Sequence, residues 1–228
     1  MKKFIALLLV LALGLSLCAC SNMTKHPPTK NPLYHTLSEK MGMDFTEQDV
    51  REYQSGEGYL IVYMNTDQRF DENSCVELGN GTTLQYPMTY GELCDAGWTL
   101  AEGELSDPFP MEEATDWFPM VNSDGKTIEA RIYNSAESPM ALQDVPVLQL
   151  LFGDKGTETF AVSGIQRGAT VQEILDTFGT PYFCSFHEED DGSKSFAILY
   201  MDETGDFDLY FDMDPETGLL ENLVYSWN

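Results

Sequence analysis

Basic side chains are scarce in this chain. Its 228 residues hold 12 Lys and Arg against 38 Asp and Glu, a formal net charge of −26 at neutral pH. Lys2 and Lys3 stand at the N-terminus, so residues 20–228 keep ten basic residues against 38 acidic ones, −28 by the same count. Such a surface repels phosphate backbones and anionic lipid, which excludes nucleic acid as an expected partner. Histidine is rarer still, with only His26, His35 and His187. HEEDD at 187–191 lacks the second His of an H-E-x-x-H zinc helix. No G-x-S-x-G elbow, P-loop or dinucleotide-binding glycine pattern occurs. Beyond residue 20 the cysteines are Cys75, Cys94 and Cys184, an odd number without a C-x-x-C spacing. A catalytic thiol wants a neighbouring His and an electropositive setting, and this composition offers neither. Cys94 and Cys184 are expected as small buried hydrophobes, with a Cys75–Cys94 disulfide as the alternative. These absences point away from an enzyme and give no cofactor to expect.

Long apolar runs are also missing, except at the start. MKK is a positive n-region, and Phe4–Ala19 is an apolar h-region too short for a good membrane span. Leu17-Cys18-Ala19-Cys20 resembles a lipobox: Ala19 is the small residue a peptidase needs, and the Cys20 sulfur would take the diacylglyceryl group. Residues 1–19 are therefore expected to be a lipoprotein signal peptide and Cys20 the lipidated first mature residue. Two or three acyl chains of the palmitate type, at about 0.8 kcal/mol per buried CH₂, make a firm anchor. The expected location is the outer, extracellular face of the cytoplasmic membrane. Residues 20–33, rich in Pro, Asn, Thr and Lys, read as a flexible tether.

The clearest folding signal is GIQRGATVQEILDTFGTPYF, opening a module at residues 164–228. Thr170 and Glu173 form a T-x-x-E capping box. Val171, Ile174, Leu175 and Phe178 make an apolar stripe, and Gly179 and Pro181 stop the helix. Strands follow at 182–187, 195–201, 207–214 and 219–227. Alternation turns Phe207, Leu209, Phe211 and Met213 towards a core, and Asp208, Tyr210, Asp212 and Asp214 towards water. A second copy of the helix signal stands 81 residues earlier, with Thr89 and Glu92 as its box and Gly97 at its end. It leads into a hairpin around Ser123-Asp124-Gly125 and a buried strand at 144–153. A vestigial copy, Thr36 with Glu39, precedes a hairpin at 49–65. The expected fold is thus α+β: tandem small modules, each a short helix packed on an antiparallel β meander, with 34–163 as an N-terminal region before the last module.

The run GIQRGATVQEILDTFGTP resembles the helix opening of the small α+β modules shared by the beta-lactamase inhibitor protein and the outer-membrane assembly lipoprotein family. YPMTYGELCDAGWTL and DGKTIEARIYN resemble uncharacterised lipoproteins of Gram-positive gut bacteria. The first resemblance implies a helix-on-meander fold whose strand face binds proteins. The second implies a context, the bacterial cell envelope.

Carboxylates form the only dense cluster of functional groups. Glu188, Asp190, Asp202 and Asp206, in two acidic turns, are weak candidates for a hard cation such as Ca²⁺, though no D-x-D-x-D-G loop frames them. The expectation is a non-enzymatic, lipid-anchored scaffold or binding protein taking another envelope protein or peptide. A cell-envelope hydrolase and a solute- or metal-capturing lipoprotein are the alternatives.

Overall fold

A computed structural model describes residues 32–45, 50–55, 58–64, 76–85, 87–153, 158–189, 191–202 and 207–227. Cys20, the tether up to residue 31, Cys75, Asp190 and Asp206 lie outside these residues.

Helix α1 (Pro32–Met41) opens the fold. Proline in the first helical turn needs no N–H partner and its φ suits a helix. Thr36 therefore falls inside the helix instead of capping it, which corrects the vestigial capping box. Leu37 and Met41, four residues apart, are fully buried, and Gly42 ends the helix at φ 61°. Lys40 does not spoil the stripe, because its Nζ sits 6.0 Å from the Phe186 ring and donates to the Glu216 carbonyl at 3.4 Å.

Strands β1 (Val50–Ser55) and β2 (Gly58–Met64) form an antiparallel hairpin. Next come β3 (Val76–Leu78), β4 (Thr83–Leu84) and helix α2 (Tyr90–Asp95). Then follow β5 (Thr99–Leu100), β6 (Glu113–Ala114), β7 (Phe118–Val121), β8 (Thr127–Asn134) and β9 (Val147–Phe152). The hairpin between β7 and β8 forms where Asn122 Oδ1 accepts from the Asp124 and Lys126 amides and Gly125 adopts φ 75°. After β10 (Phe160–Val162) and β11 (Ile165–Gln166), helix α3 (Val171–Phe178) leads into β12 (Phe183–Glu189), β13 (Lys194–Met201), β14 (Phe207–Met213) and β15 (Leu220–Trp227).

The result is a β-rich α+β fold. One large antiparallel sheet runs β1-β2-β12-β13-β14-β15-β9-β8-β7-β5, with β6 joined to β8, and a small sheet runs β11-β10-β3-β4. Strand pairing crosses residue 164 at β2–β12 and β15–β9 in the large sheet and at β10–β11 in the small one. The main core lies on one face of the large sheet. Each of the three described α-helices contributes to it, through Leu37, Met41, Leu93, Val171 and Ile174, and so does the small sheet, through Val76, Leu78, Phe160 and Val162.

Residues 88–153 and 169–227 share several local features. Thr89 and Thr170 cap α2 and α3, and both complete the capping box with Glu92 and Glu173. Each cap threonine bridges to the residue before the last strand of its meander, Pro146 or Leu219. The first residue of that strand donates to the carbonyl preceding the cap: Val147 to Met88 and Leu220 to Ala169. The third strand of each meander shifts register at one place, Arg131/Ile132 in β8 and Asp212/Met213 in β14. The fourth strands, β9 and β15, then pair with each other antiparallel.

Alternation along β14 holds, since Leu209, Phe211 and Met213 are buried in the main core. The opposite side of β14 departs from expectation: Asp208 is only 5% exposed and Tyr210 4%, and Asp212 is half-buried. Strand β14 is central in a broad sheet, so its second face is lined by neighbouring strands and not by water. Asp214, beyond the strand, organises a turn, where its Oδ1 accepts from the backbone N–H groups of Thr217 and Glu216 at 2.7 and 2.8 Å.

Candidate functional site

The second face of the large sheet holds its own apolar cluster. Register puts Leu199, Tyr210, Val224 and Leu151 side by side across β13, β14, β15 and β9. With Ala197 they form a buried group against which the half-buried Trp117, Tyr182, Phe183 and Met201 pack. Among the described residues no helix residue belongs to this cluster. Burial pushes the Tyr210 phenol well above its ordinary pKa, and the nearby Asp212 charge adds to the effect. Tyr210 thus stays neutral and serves this face as an aromatic surface.

A polar row runs along one edge of the apolar strip. Arg131 on β8 stands opposite Gln149 on β9, and Gln149 opposite Ser226 on β15. Arg131 Nη1 donates to Gln149 Oε1 at 2.9 Å, and Gln149 Nε2 donates to Ser226 Oγ at 3.2 Å. Arg131 Nε donates to the Thr115 carbonyl at 3.2 Å. The guanidinium carbon lies 5.8 Å from the centre of the Trp117 ring, within cation–π range. Trp117 Nε1 is buried without a hydrogen-bond partner.

The position matching Arg131 in the last meander, by its register shift, is Asp212 on β14. There the same cross-strand contact has the opposite charge: Asn222 Nδ2 donates to Asp212 Oδ2 at 3.0 Å. One end of the strip therefore carries a guanidinium on an amide and the other a carboxylate on an amide.

The sequence-based site candidates fall elsewhere. Glu188 pairs with Lys194 at the start of β13, whereas Asp202 follows Met201 at its end. Eight residues of extended chain put them roughly 26 Å apart, so these two cation candidates do not converge. Among the described residues no group of three His, Cys, Asp or Glu comes together. Cys94 and Cys184 are free thiols, half-buried and buried respectively. Burial raises the pKa of both, most strongly for Cys184, which suits small hydrophobes and not nucleophiles. Tyr90, beside Cys94, is pushed up to about 12, first by burial. A shallow cleft of about 420 Å³ lies between β4 and α2, lined by Leu84, Met88 and Glu92, but Glu92 already serves the cap of α2.

Sequence reasoning missed Arg131, Gln149, Trp117 and Ser226. The available signal was small: an arginine in the polar phase of TIEARIYN, in a chain with few cations. Neither a family model, nor a curated protein, nor a solved structure matches this chain.

Proposed function

We propose that this chain is a lipid-anchored, non-enzymatic binding protein of the outer face of the cytoplasmic membrane, and that it takes another envelope protein or peptide on the second face of the large sheet. The observation that supports this reading is the platform of Trp117, Tyr182, Phe183 and Met201 seated on a buried apolar cluster, with the helices on the other face. Aromatic side chains held over a dry base lose little freedom on binding and contribute most at protein interfaces. The acidic charge fits an extracytoplasmic role away from nucleic acid. The shared caps, bridges and register shifts support a finer reading of the fold: two tandem helix-plus-meander units joined edge to edge through their fourth strands.

Two experiments test the proposal. The soluble 21–228 fragment, immobilised, is challenged with envelope extract beside a Tyr182→Glu, Phe183→Glu variant that melts like the parent. A protein captured by the parent and lost by the variant is expected, while Arg167→Glu, beside the small sheet, leaves capture unchanged. Identical captured sets for parent and platform variant would sink the binding-face reading. For attachment, Cys20→Ala is expected to leave the membrane fraction or to stay unprocessed. A mature Cys20→Ala protein that still pelleted with membranes would remove the lipid anchor from the proposal.

A further inference from the structure

We infer that Arg131 is a carboxylate-anchoring residue of that face, and that the partner presents an Asp or Glu side chain flanked by apolar residues. This inference rests on the second face being a binding surface and names the chemistry it selects.

Arg131 is immobilised without being neutralised. Its Nε is held by the Thr115 carbonyl, its Nη1 by Gln149 Oε1, and its plane lies against the Trp117 ring. None of these partners carries a negative charge. Among the described residues Arg131 makes no ion pair, and Nη2 has no hydrogen-bond partner. In a chain with 38 acidic residues a partly buried guanidinium without a carboxylate is unexpected, because burial of a charge is compensated by pairing. The matching position in the last meander shows the contrast. Asp212 carries the negative charge there and Asn222 donates to it. The acid beside Arg131 in the strand register is Glu129, two residues along β8, and Arg131 makes no ion pair with it.

The geometry favours a carboxylate. A planar guanidinium recognises a planar carboxylate through parallel N–H donors, and one already fixed by two hydrogen bonds and a ring loses little freedom on binding. Phosphate carries close to two charges and would want more cations. The side chains beside Arg131 in the strand register are Gln149 across the ladder and Glu129 and Tyr133 along β8, none of them basic. The adjacent Trp117 ring and Leu151 call for apolar neighbours around the acid. Long-range repulsion from the acidic surface slows approach of a strongly acidic partner, so the acid belongs to an apolar segment and not to an acidic run.

The probes are acetyl-Phe-Glu-Phe-amide and its glutamine counterpart, acetyl-Phe-Gln-Phe-amide. Each is titrated against ¹⁵N-labelled 21–228 fragment, following the Trp117 indole resonance, which is identified by its loss in Trp117→Phe. The glutamate peptide is expected to bind at least about tenfold more tightly, the size of one charge-assisted hydrogen bond. Arg131→Gln should erase that preference while leaving the glutamine peptide unchanged, and Arg131→Lys should restore part of it. Tyr133→Ala, beside Arg131 on β8, should weaken both peptides alike. Equal affinity of the parent for the two peptides, or a preference that survives Arg131→Gln, overturns the role of Arg131. If both peptides bind equally and Tyr133→Ala weakens both, the binding face stands and only the carboxylate anchor falls. If neither binds, the inference falls with the binding face.

Discussion

The two halves of the large sheet share their joints and differ in their filling. Residues 88–153 and 169–227 use the same threonine cap, the same bridge to the fourth strand and a register shift at positions 81 residues apart. At that same offset Phe178 on α3 corresponds to Gly97 after α2, and Phe211 on β14 to Ala130 on β8. In the last meander Phe178 lies 5.2 Å from Tyr200 and 5.6 Å from Phe211, ring centre to ring centre. Tyr200 meets Phe211 edge-on at 5.9 Å and donates its hydroxyl to the Gly179 carbonyl at 2.8 Å. Among the described residues the first meander holds a wider aromatic pair, Tyr90 and Phe118 at 6.4 Å, and Trp98, fully buried just after α2, is its largest core side chain. Caps, bridges and shifts fix backbone paths, so they tolerate little change, whereas a core can be filled in more than one way at the same density.

The aromatic stack is where the comparison can be broken most forcefully. Phe211→Ala should cost about 3–5 kcal/mol, the range for truncating a fully buried aromatic. Phe178→Ala, at a half-buried ring, should cost less, about 2–3 kcal/mol. The mirror substitution Ala130→Phe should also destabilise, by about 1–3 kcal/mol through overpacking, because Ala130 is already fully buried in the core. Urea unfolding of the 21–228 fragment measures all three. A Phe211→Ala cost below about 1 kcal/mol would show that the stack does not distinguish the two halves.

The caps should behave in the opposite way, with nearly equal effects. Thr89→Ala and Thr170→Ala each remove a side-chain oxygen that accepts an N3 amide, from Glu92 at 3.2 Å and from Glu173 at 3.3 Å. Each should cost about 1 kcal/mol. A difference between the two larger than the cost itself would mean that one box is ornamental and the correspondence superficial.

How far the fold could be read beforehand follows the same division. Both working capping boxes, the hairpin at 122–126 and the strands of the last meander are local in sequence, and local chemistry is what a single sequence displays. The false box at Thr36 is instructive. T-x-x-E is compatible with a cap, but Pro32 begins the helix earlier, and a motif inside a helix has no free amides to satisfy. What could not be read was long-range. Nothing in FDLYFDMD says that β15 pairs with β9, so the polar phase of β14 looked like a solvent face when it lines a second cluster. Arg131, Gln149 and Ser226 were invisible for the same reason, since they meet only through pairings that span 18 and 77 residues.

The finest distinction between the two halves is in the acid range. The Glu173 carboxylate accepts from the Thr170 backbone N–H at 2.7 Å and from its hydroxyl at 2.9 Å. These bonds, the backbone one first, hold its pKa below the ordinary glutamate value. A carboxylate with a native pKa below its unfolded one favours the folded state when ionised. Its contribution is complete above the unfolded value, about 4.3, and is lost as pH falls through the native value. Glu173→Gln keeps an acceptor for the box but removes the titration. Parent and variant should therefore differ slightly at neutral pH and converge as pH drops below about 4. Asp214 is also lowered, through the Thr217 and Glu216 amides, so the variant keeps an acid limb from that turn after Glu173 is replaced. Urea midpoints measured from pH 7 down to the onset of acid unfolding give the difference curve. A gap that stayed constant with pH, or widened on acidification, would mean that the charge of Glu173 contributes nothing to the cap of α3.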